Sequence, residues 1–284
     1  MRVSTYLKKW FPLFALPTLL AFILAFVVPF AMGLYLSFTQ FRTVNDAQWV
    51  GVANYVKAFS ANNDFLNALW FTVRFTVVSV VLVNVLAFTF AMLLTRAIKG
   101  TNIFRAVFFL PNLIGGIVLG YIWRLIINGV LTNWVGHDLT YDAAYGFWGL
   151  VILINWQMIG YMMIIYIAAL QNVPGEVLEA ADIDGAKFWS KLFRVTIPMV
   201  TSAITICAFL TMSNCLKLFD QNLALTNGAP QNTTEGLALN IFRTFYNLRN
   251  SQGVGQAKAV VFFVVVAVIA YLQLRLTRSR EVEG

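Results

Sequence analysis

The sequence predicts an all-α, polytopic membrane protein with six transmembrane helices, and three observations carry that prediction. Hydrophobic residues make up 60% of the 284-residue chain and charged residues only 11%, with a mean hydropathy of +0.74. A soluble globule of this size needs more polar surface. Apolar runs long enough to cross a bilayer recur along the chain, and a charged island at residues 173–198 separates two of them. With lipid solvating the apolar exterior, one transmembrane domain over residues 1–284 is expected.

The first span is predicted at residues 11–37. Arg2, Lys8 and Lys9 precede it in the manner of a signal peptide, but secretory apolar cores run about 7–15 residues, and this run exceeds the roughly 20 that cross the hydrocarbon. A polar segment at 40–67 containing WVGVANYVKAF follows. Spans two and three are predicted at 68–95 and 103–127, joined by the basic turn RAIKGTNIFR, span four at 147–170, span five at 195–219 and span six at 257–274. Between the last two, the turn-rich LTNGAPQNTTEG leads into LALNIFRTFY, where Leu237, Ile241, Phe242 and Phe245 share a helical face. This reads as a loop and an interfacial helix with a binding or gating role.

Six spans place both termini on one side. Arg2, Lys8 and Lys9, then Arg96, Lys99 and Arg105, then Lys187, Lys191 and Arg194, then Arg275, Arg278 and Arg280 all fall there, so that side is the cytoplasm. The loop at 128–146 has no Lys or Arg, as an outer loop should, whereas the longer segment before span six keeps Arg243, Arg249 and Lys258. A net charge of +8, scattered in clusters at span ends, fits membrane orientation and not a nucleic-acid partner. Cys207 and Cys215 lie eight residues apart on one predicted helix, about 12 Å along its axis, which excludes a disulfide.

The island reads as helix, turn, helix. Pro174 suits a first helical turn. Val177, Leu178 and Ala181 form an apolar stripe beside an acidic one of Glu176, Glu179 and Asp182. Gly185 permits a sharp turn. Phe188, Trp189, Leu192 and Phe193 alternate with Lys187, Lys191 and Arg194, and Pro198 opens or kinks the next span.

Nothing in the chain supplies energy or covalent chemistry. There is no GxxxxGK[ST] phosphate loop, no intramembrane acidic relay and no nucleophile with a base, and the single histidine, His137, sits in an outer loop. No metal site or bound cofactor is expected, and the chain is not an enzyme. Arg74 and Arg124 map near outer helix ends, where snorkelling relieves their cost. Lys217 and Asp220, at i, i+3, either pair with each other or line a polar vestibule. Neutral polar and aromatic groups concentrate in INWQMIGY (Asn155, Trp156, Gln157, Tyr161) and TMSNC (Thr211, Ser213, Asn214, Cys215). Such groups offer a sugar hydrogen bonds and flat faces, or else join helix to helix.

LEAADIDGAKFWSKLFRVTIP resembles the EAA motif of inner-membrane permease subunits of binding-protein-dependent ABC importers. Glu179, Ala180, Ala181, Gly185 and Pro198 match at its spacing, Val195 and Ile197 replace its two aliphatics, and Asp184-Gly185-Ala186 is typical of the carbohydrate branch. LYLSFTQF, WVGVANY, IFRAVFFLP, LTNGAP and LRLTRSREVEG extend the resemblance over nearly the whole chain, to the six-span sugar permeases related to the maltose, lactose and glycerol-phosphate systems. It implies a second homologous permease, two ATPase subunits that bind ATP and Mg, and an extracytoplasmic solute-binding protein. It also implies residence in a bacterial or archaeal cytoplasmic membrane and import of a carbohydrate, with an oligosaccharide favoured. The coupling region would be residues 173–198, with Glu179 pairing a basic group of its ATPase. By position, Tyr161 stands where the maltose permease places an aromatic sugar contact and Thr211 where it places a hydroxyl. Cys215 and Leu218 stand where it has asparagines, a departure that argues against maltose itself. An importer of glycerol phosphate or a polyol, and a self-sufficient secondary carrier, are the competing expectations.

Overall fold

The computed structural model describes residues 2–60, 64–95, 100–248 and 250–278. Of the basic residues used above for orientation, Arg96, Lys99, Arg249 and Arg280 lie outside them. Among the described residues, five helices are long and apolar enough to cross a membrane, at Leu13–Leu36, Phe65–Leu94, Gly116–Val135, Ala143–Gln171 and Gln252–Gln273. Phe188–Met199 with Thr201–Leu216 makes a sixth span if the pair, bent by 73°, counts as one. The backbone packs as two compact units, Met1–Asn63 with Ile241–Phe263, and Asp64–Asn240 with Val264–Gly284.

In the first unit, α1 (Arg2–Phe22) and α2 (Val28–Leu36) are joined by a π-helical turn at Ile23–Val27. Pro29 explains that turn, because it cannot donate to the carbonyl four residues back and its ring crowds it. A two-stranded antiparallel ribbon follows, β1 (Thr39–Gln40) with β2 (Gln48–Trp49), Thr39 opposite Trp49. Asp46 holds the turn between them by accepting from the backbone N–H groups of Arg42 (2.8 Å) and Thr43 (2.9 Å). Those bonds keep its carboxyl below the usual range. WVGVANY owes its shape to buried Asn54 on α3 (Ala53–Ala58), whose Nδ2 donates to the carbonyls of Ser37 (2.9 Å) and Thr39 (2.8 Å). Gly253, near the start of the long helix at Gln252–Gln273, lies so close that a Cβ there would meet the Thr39 carbonyl oxygen at 2.2 Å. Lys258, assigned by sequence to an outer segment, is fully buried inside that helix and donates to Thr244 Oγ1 at 2.8 Å.

The second unit is organised on α4 (Phe65–Leu94) and α7 (Ala143–Gln171), whose long apolar runs pack side by side. α7 is the central helix, with 72% of its most apolar window buried. Asp142 caps it, accepting from the Ala144 N–H at 2.7 Å. The third span departs from expectation. It is not continuous over 103–127 but runs as α5 (Thr101–Phe109), a tight turn at Leu110–Leu113 and α6 (Gly116–Val135). Pro111 and the Gly115-Gly116 pair end one helix and start the next. The fifth span departs too. Its first part, Phe188–Met199, belongs to the island, and the chain bends at Val200 before α11 (Thr201–Leu216).

Candidate functional site: a helical hairpin and a polar cavity

The island is a helical hairpin. Its first helix, α8 (Gly175–Ile183), starts after an extended Pro174 and carries Glu176 in its first turn, where a negative charge meets the positive helix end. Gly185 N–H reaches Asp182 O (3.0 Å) and Ala186 N–H reaches Ala181 O (2.9 Å), the two bonds of a Schellman ending. Gly185 takes φ +73, a conformation that L side chains resist. From extended Lys187 the chain enters α9 (Phe188–Lys191), a π-helical turn at Leu192–Thr196 and α10 (Ile197–Met199). Pro198 disturbs the ladder here as Pro29 does in the first unit. Lys191 forms an ion pair with Asp182 across the hairpin, and Leu192 is buried.

The rest of the hairpin is open. Glu179, Ala180, Asp184 and Pro198 are exposed, while Ala181, Ala186, Val195 and Ile197 are half-buried. Ile183 is 87% exposed and Trp189 65%, and Phe193 stacks on Trp189 at 5.9 Å. Large apolar groups grouped on a hairpin that is otherwise charged mark an interaction surface.

A second feature lies midway along α7. A cavity of about 570 Å³ is walled on one side by Ile154, Gln157, Met158 and Tyr161, which share a face of α7. Asn112 borders it from the α5–α6 break, and Asn214, Lys217, Leu218, Phe219, Asp220 and Gln221 from the end of α11 through the start of α12 (Asp220–Leu225). Both interruptions of helical backbone therefore face the cavity, where polar backbone at membrane depth is tolerated. Gln157 ties them together, donating to the Ile114 carbonyl (3.3 Å) and accepting from Gln221 Nε2 (2.8 Å). Lys217 and Asp220 make no ion pair with each other; both line the wall.

Three glycines permit this closeness. A Cβ on Gly160 would stand 1.8 Å from the Phe108 carbonyl oxygen, so α5 rests on bare α7 backbone one residue from Tyr161. Gly116 and Gly120 do the same for α12, where a Cβ would meet Asp220 Cβ at 2.8 Å and Ala224 Cβ at 2.5 Å.

Tyr161, Asn214 and Leu218, singled out by sequence, come together at this wall; Thr211 and Cys215 do not. Thr211 is fully buried, donating to the Cys207 carbonyl (2.8 Å) and accepting from Asn84 Nδ2 (3.3 Å). Asn84 Oδ1 in turn accepts from the Tyr166 hydroxyl at 2.7 Å. This chain of bonds joins α4, α7 and α11, the helix-to-helix role that was the alternative for such groups. Cys215 and Cys207 are free thiols, both buried. Among the described residues no group of His, Cys, Asp and Glu could hold a metal ion.

Residues 99–282 match the family described as "Binding-protein-dependent transport system inner membrane component". The chain belongs to that family. Among its members, the probable starch degradation products transport system permease protein AmyD of Thermoanaerobacterium thermosulfurigenes is 44% identical over 282 residues, covering 96% of each chain. The arabinooligosaccharides transport system permease protein AraP of Bacillus subtilis is 30% identical, covering 98% of this chain and 92% of its own. The fold is shared with a solved bacterial ABC transporter involved in the import of the acidic polysaccharide alginate, at a TM-score of 0.81 and 20% identity over 98% of this chain and 99% of that one.

For this transport-system component, sequence reading overlooked Asn112 and Gln221. Asn112 is a lone polar residue beside Pro111, whereas Gln221 sits in the polar run Asp220-Gln221-Asn222, which is the signal that marks it. It also overlooked Asn222, which shapes LTNGAP. Asn222 is fully buried; its Nδ2 donates to Thr226 Oγ1 (2.9 Å) and Thr234 O (2.8 Å), and its Oδ1 accepts from Gly236 N–H (2.8 Å). The loop after α12 is thus wound onto one side chain that adjoins Gln221. Asn222→Ala should destabilise the protein by about 3 kcal/mol, because buried partners are left unsatisfied. Thermal unfolding in detergent, with protease nicking between 226 and 236, measures this.

Proposed function

We propose that this chain is the permease subunit of an ATP-driven importer of a carbohydrate, with an oligosaccharide favoured. The observation that carries the reading is the cavity: an aromatic ring, Tyr161, among four amides, Asn112, Gln157, Asn214 and Gln221. Amides both donate and accept, as sugar hydroxyls require, and an aromatic face suits the C–H side of a sugar ring. The names of the AmyD and AraP relatives agree with this reading. A second permease would complete the pathway, and an external binding protein would deliver the solute. Two ATPase subunits, which hold ATP and Mg, would grip residues 173–198 on the cytoplasmic side, where both termini also lie. Glu179 is exposed on α8 for pairing with a basic group, and Ile183, Trp189 and Phe193 supply the apolar contact.

Glycerol phosphate fits less well. A phosphate calls for convergent cations, whereas among the described residues Lys217 is the only Lys or Arg on the cavity wall and Asp220 stands on the same wall.

Uptake by the complete transporter in proteoliposomes tests the site. Tyr161→Ala should raise the half-saturation concentration for the sugar about tenfold, a loss near 1.4 kcal/mol. Thr211→Val should leave it unchanged and lower the melting temperature instead, since Thr211 bonds to Asn84 and not to the cavity. Unchanged affinity in Tyr161→Ala would remove that ring from the site.

A further inference from the structure

A second, smaller cavity of about 170 Å³ opens where the first turns of α4 meet the loop wound on Asn222. We propose that it is a saccharide-ring subsite separate from the central cavity, an inference that rests on the carbohydrate reading above. Trp70 borders it with 66% of its surface exposed, and Asp64, Arg74, Asn67, Gln231, Asn232 and Thr233 supply the polar wall.

The chemistry of that wall selects its ligand. One carboxylate and one guanidinium nearly cancel in charge, which disfavours a free ion. Together with three amides they offer acceptors and donors in balance, as vicinal hydroxyls need. The open indole offers a flat apolar face, and the volume suits a single ring and not a peptide segment.

The wall is also held in place before any ligand arrives. Arg74 is pinned over the Phe147 ring, 4.6 Å from its centroid. Asp64 accepts at 3.4 Å from both Asn67 Nδ2 and Asn232 Nδ2. Gln231 and Asn232 sit at φ +47 and +62, and non-glycine residues hold such angles where surrounding structure imposes them. Here turn bonds flank them, from Thr233 N–H to the Pro230 carbonyl (2.9 Å) and from Glu235 N–H to the Asn232 carbonyl (3.1 Å).

Position gives the subsite its use. From Phe147, under Arg74, to Gln157, in the central cavity, α7 advances about 15 Å. A disaccharide is shorter than this separation, so only a longer linear oligosaccharide would reach from one place to the other. The subsite would therefore favour longer chains.

The test is ATP-driven uptake by the complete transporter in proteoliposomes. The probes are α-glucan and arabinan oligosaccharides of two to six units, with Trp70→Ala, Trp70→Phe and Arg74→Gln beside wild type. Trp70→Ala and Arg74→Gln should raise the half-saturation concentration for five- and six-unit chains about tenfold and leave the two-unit sugar within about twofold, while Trp70→Phe restores the preference. An equal loss at every length, or no loss at any, overturns the subsite. So does a tenfold weaker grip on the sugar-free binding protein, which would make the pocket a protein contact. Failure of wild type to import any of these sugars overturns the carbohydrate reading itself, a result distinct from loss of the length preference alone.

Discussion

Gly160→Val should reduce transport to less than a tenth of wild type and lower the melting temperature by several degrees. The side chain would have to occupy space held by backbone: the Phe108 carbonyl oxygen lies 1.8 Å and the Phe109 nitrogen 2.7 Å from where the Cβ would sit. Neither atom can rotate away, so α5 must move off α7. Overpacking of this kind costs about 1–3 kcal/mol. The displacement would carry with it the Phe109 ring, 6.4 Å from Tyr161, and the Asn112 turn that follows, so the cavity loses its shape as well as its support. Gly129→Ala on α6 is the control. Nothing lies within 4 Å of its Cβ, so uptake should be unchanged and helical stability slightly improved. Sugar uptake and thermal unfolding of the two variants, measured side by side, check both statements.

The other large effect is expected at the hairpin. Glu179→Lys should leave the fold intact, because Glu179 is exposed and surface substitutions move stability by about 0.5 kcal/mol or less. Transport should nevertheless fall by roughly thirtyfold or more, since truncating one member of a desolvated interfacial pair costs about 2–5 kcal/mol, and reversing its charge costs more. Gly185→Val should act by a different route. Its φ of +73 costs an L residue about 1–2 kcal/mol, which would undo the Schellman ending and swing α9 relative to α8. Sugar-stimulated ATP hydrolysis by the assembled transporter reads both. If both variants hydrolyse at the wild-type rate, residues 173–198 are not the coupling point.

Much of this was legible in the sequence, for identifiable reasons. Long apolar runs gave the spans, because hydrocarbon demands length and little else. The island showed its turn, because Gly185 between two amphipathic stretches has few other uses. The break in span three was hidden, whereas Pro198 marks a kink two residues before the bend at Val200. The stretch around Pro111 stays apolar on both sides, so no change of composition records that break. Thr211 and Asn214 show a second limit. They are three residues apart on α11, yet one is sealed against Asn84 and the other opens on the cavity. The rotation of α11 that decides this is set by packing against α4 and α7, which no local pattern records. Asn112 was missed because a single polar residue beside a break has no periodicity, and Gln221 because the run Asp220-Gln221-Asn222 reads as the start of an outer loop.

The claim that this chain is a pathway worked from outside, through residues 173–198, is tested most directly by sugar uptake into proteoliposomes containing either the chain alone or the complete transporter. Uptake is expected only with the complete transporter and only with ATP inside, and to vanish there with Glu179→Lys. Accumulation of sugar by the chain alone, without ATP, would contradict it.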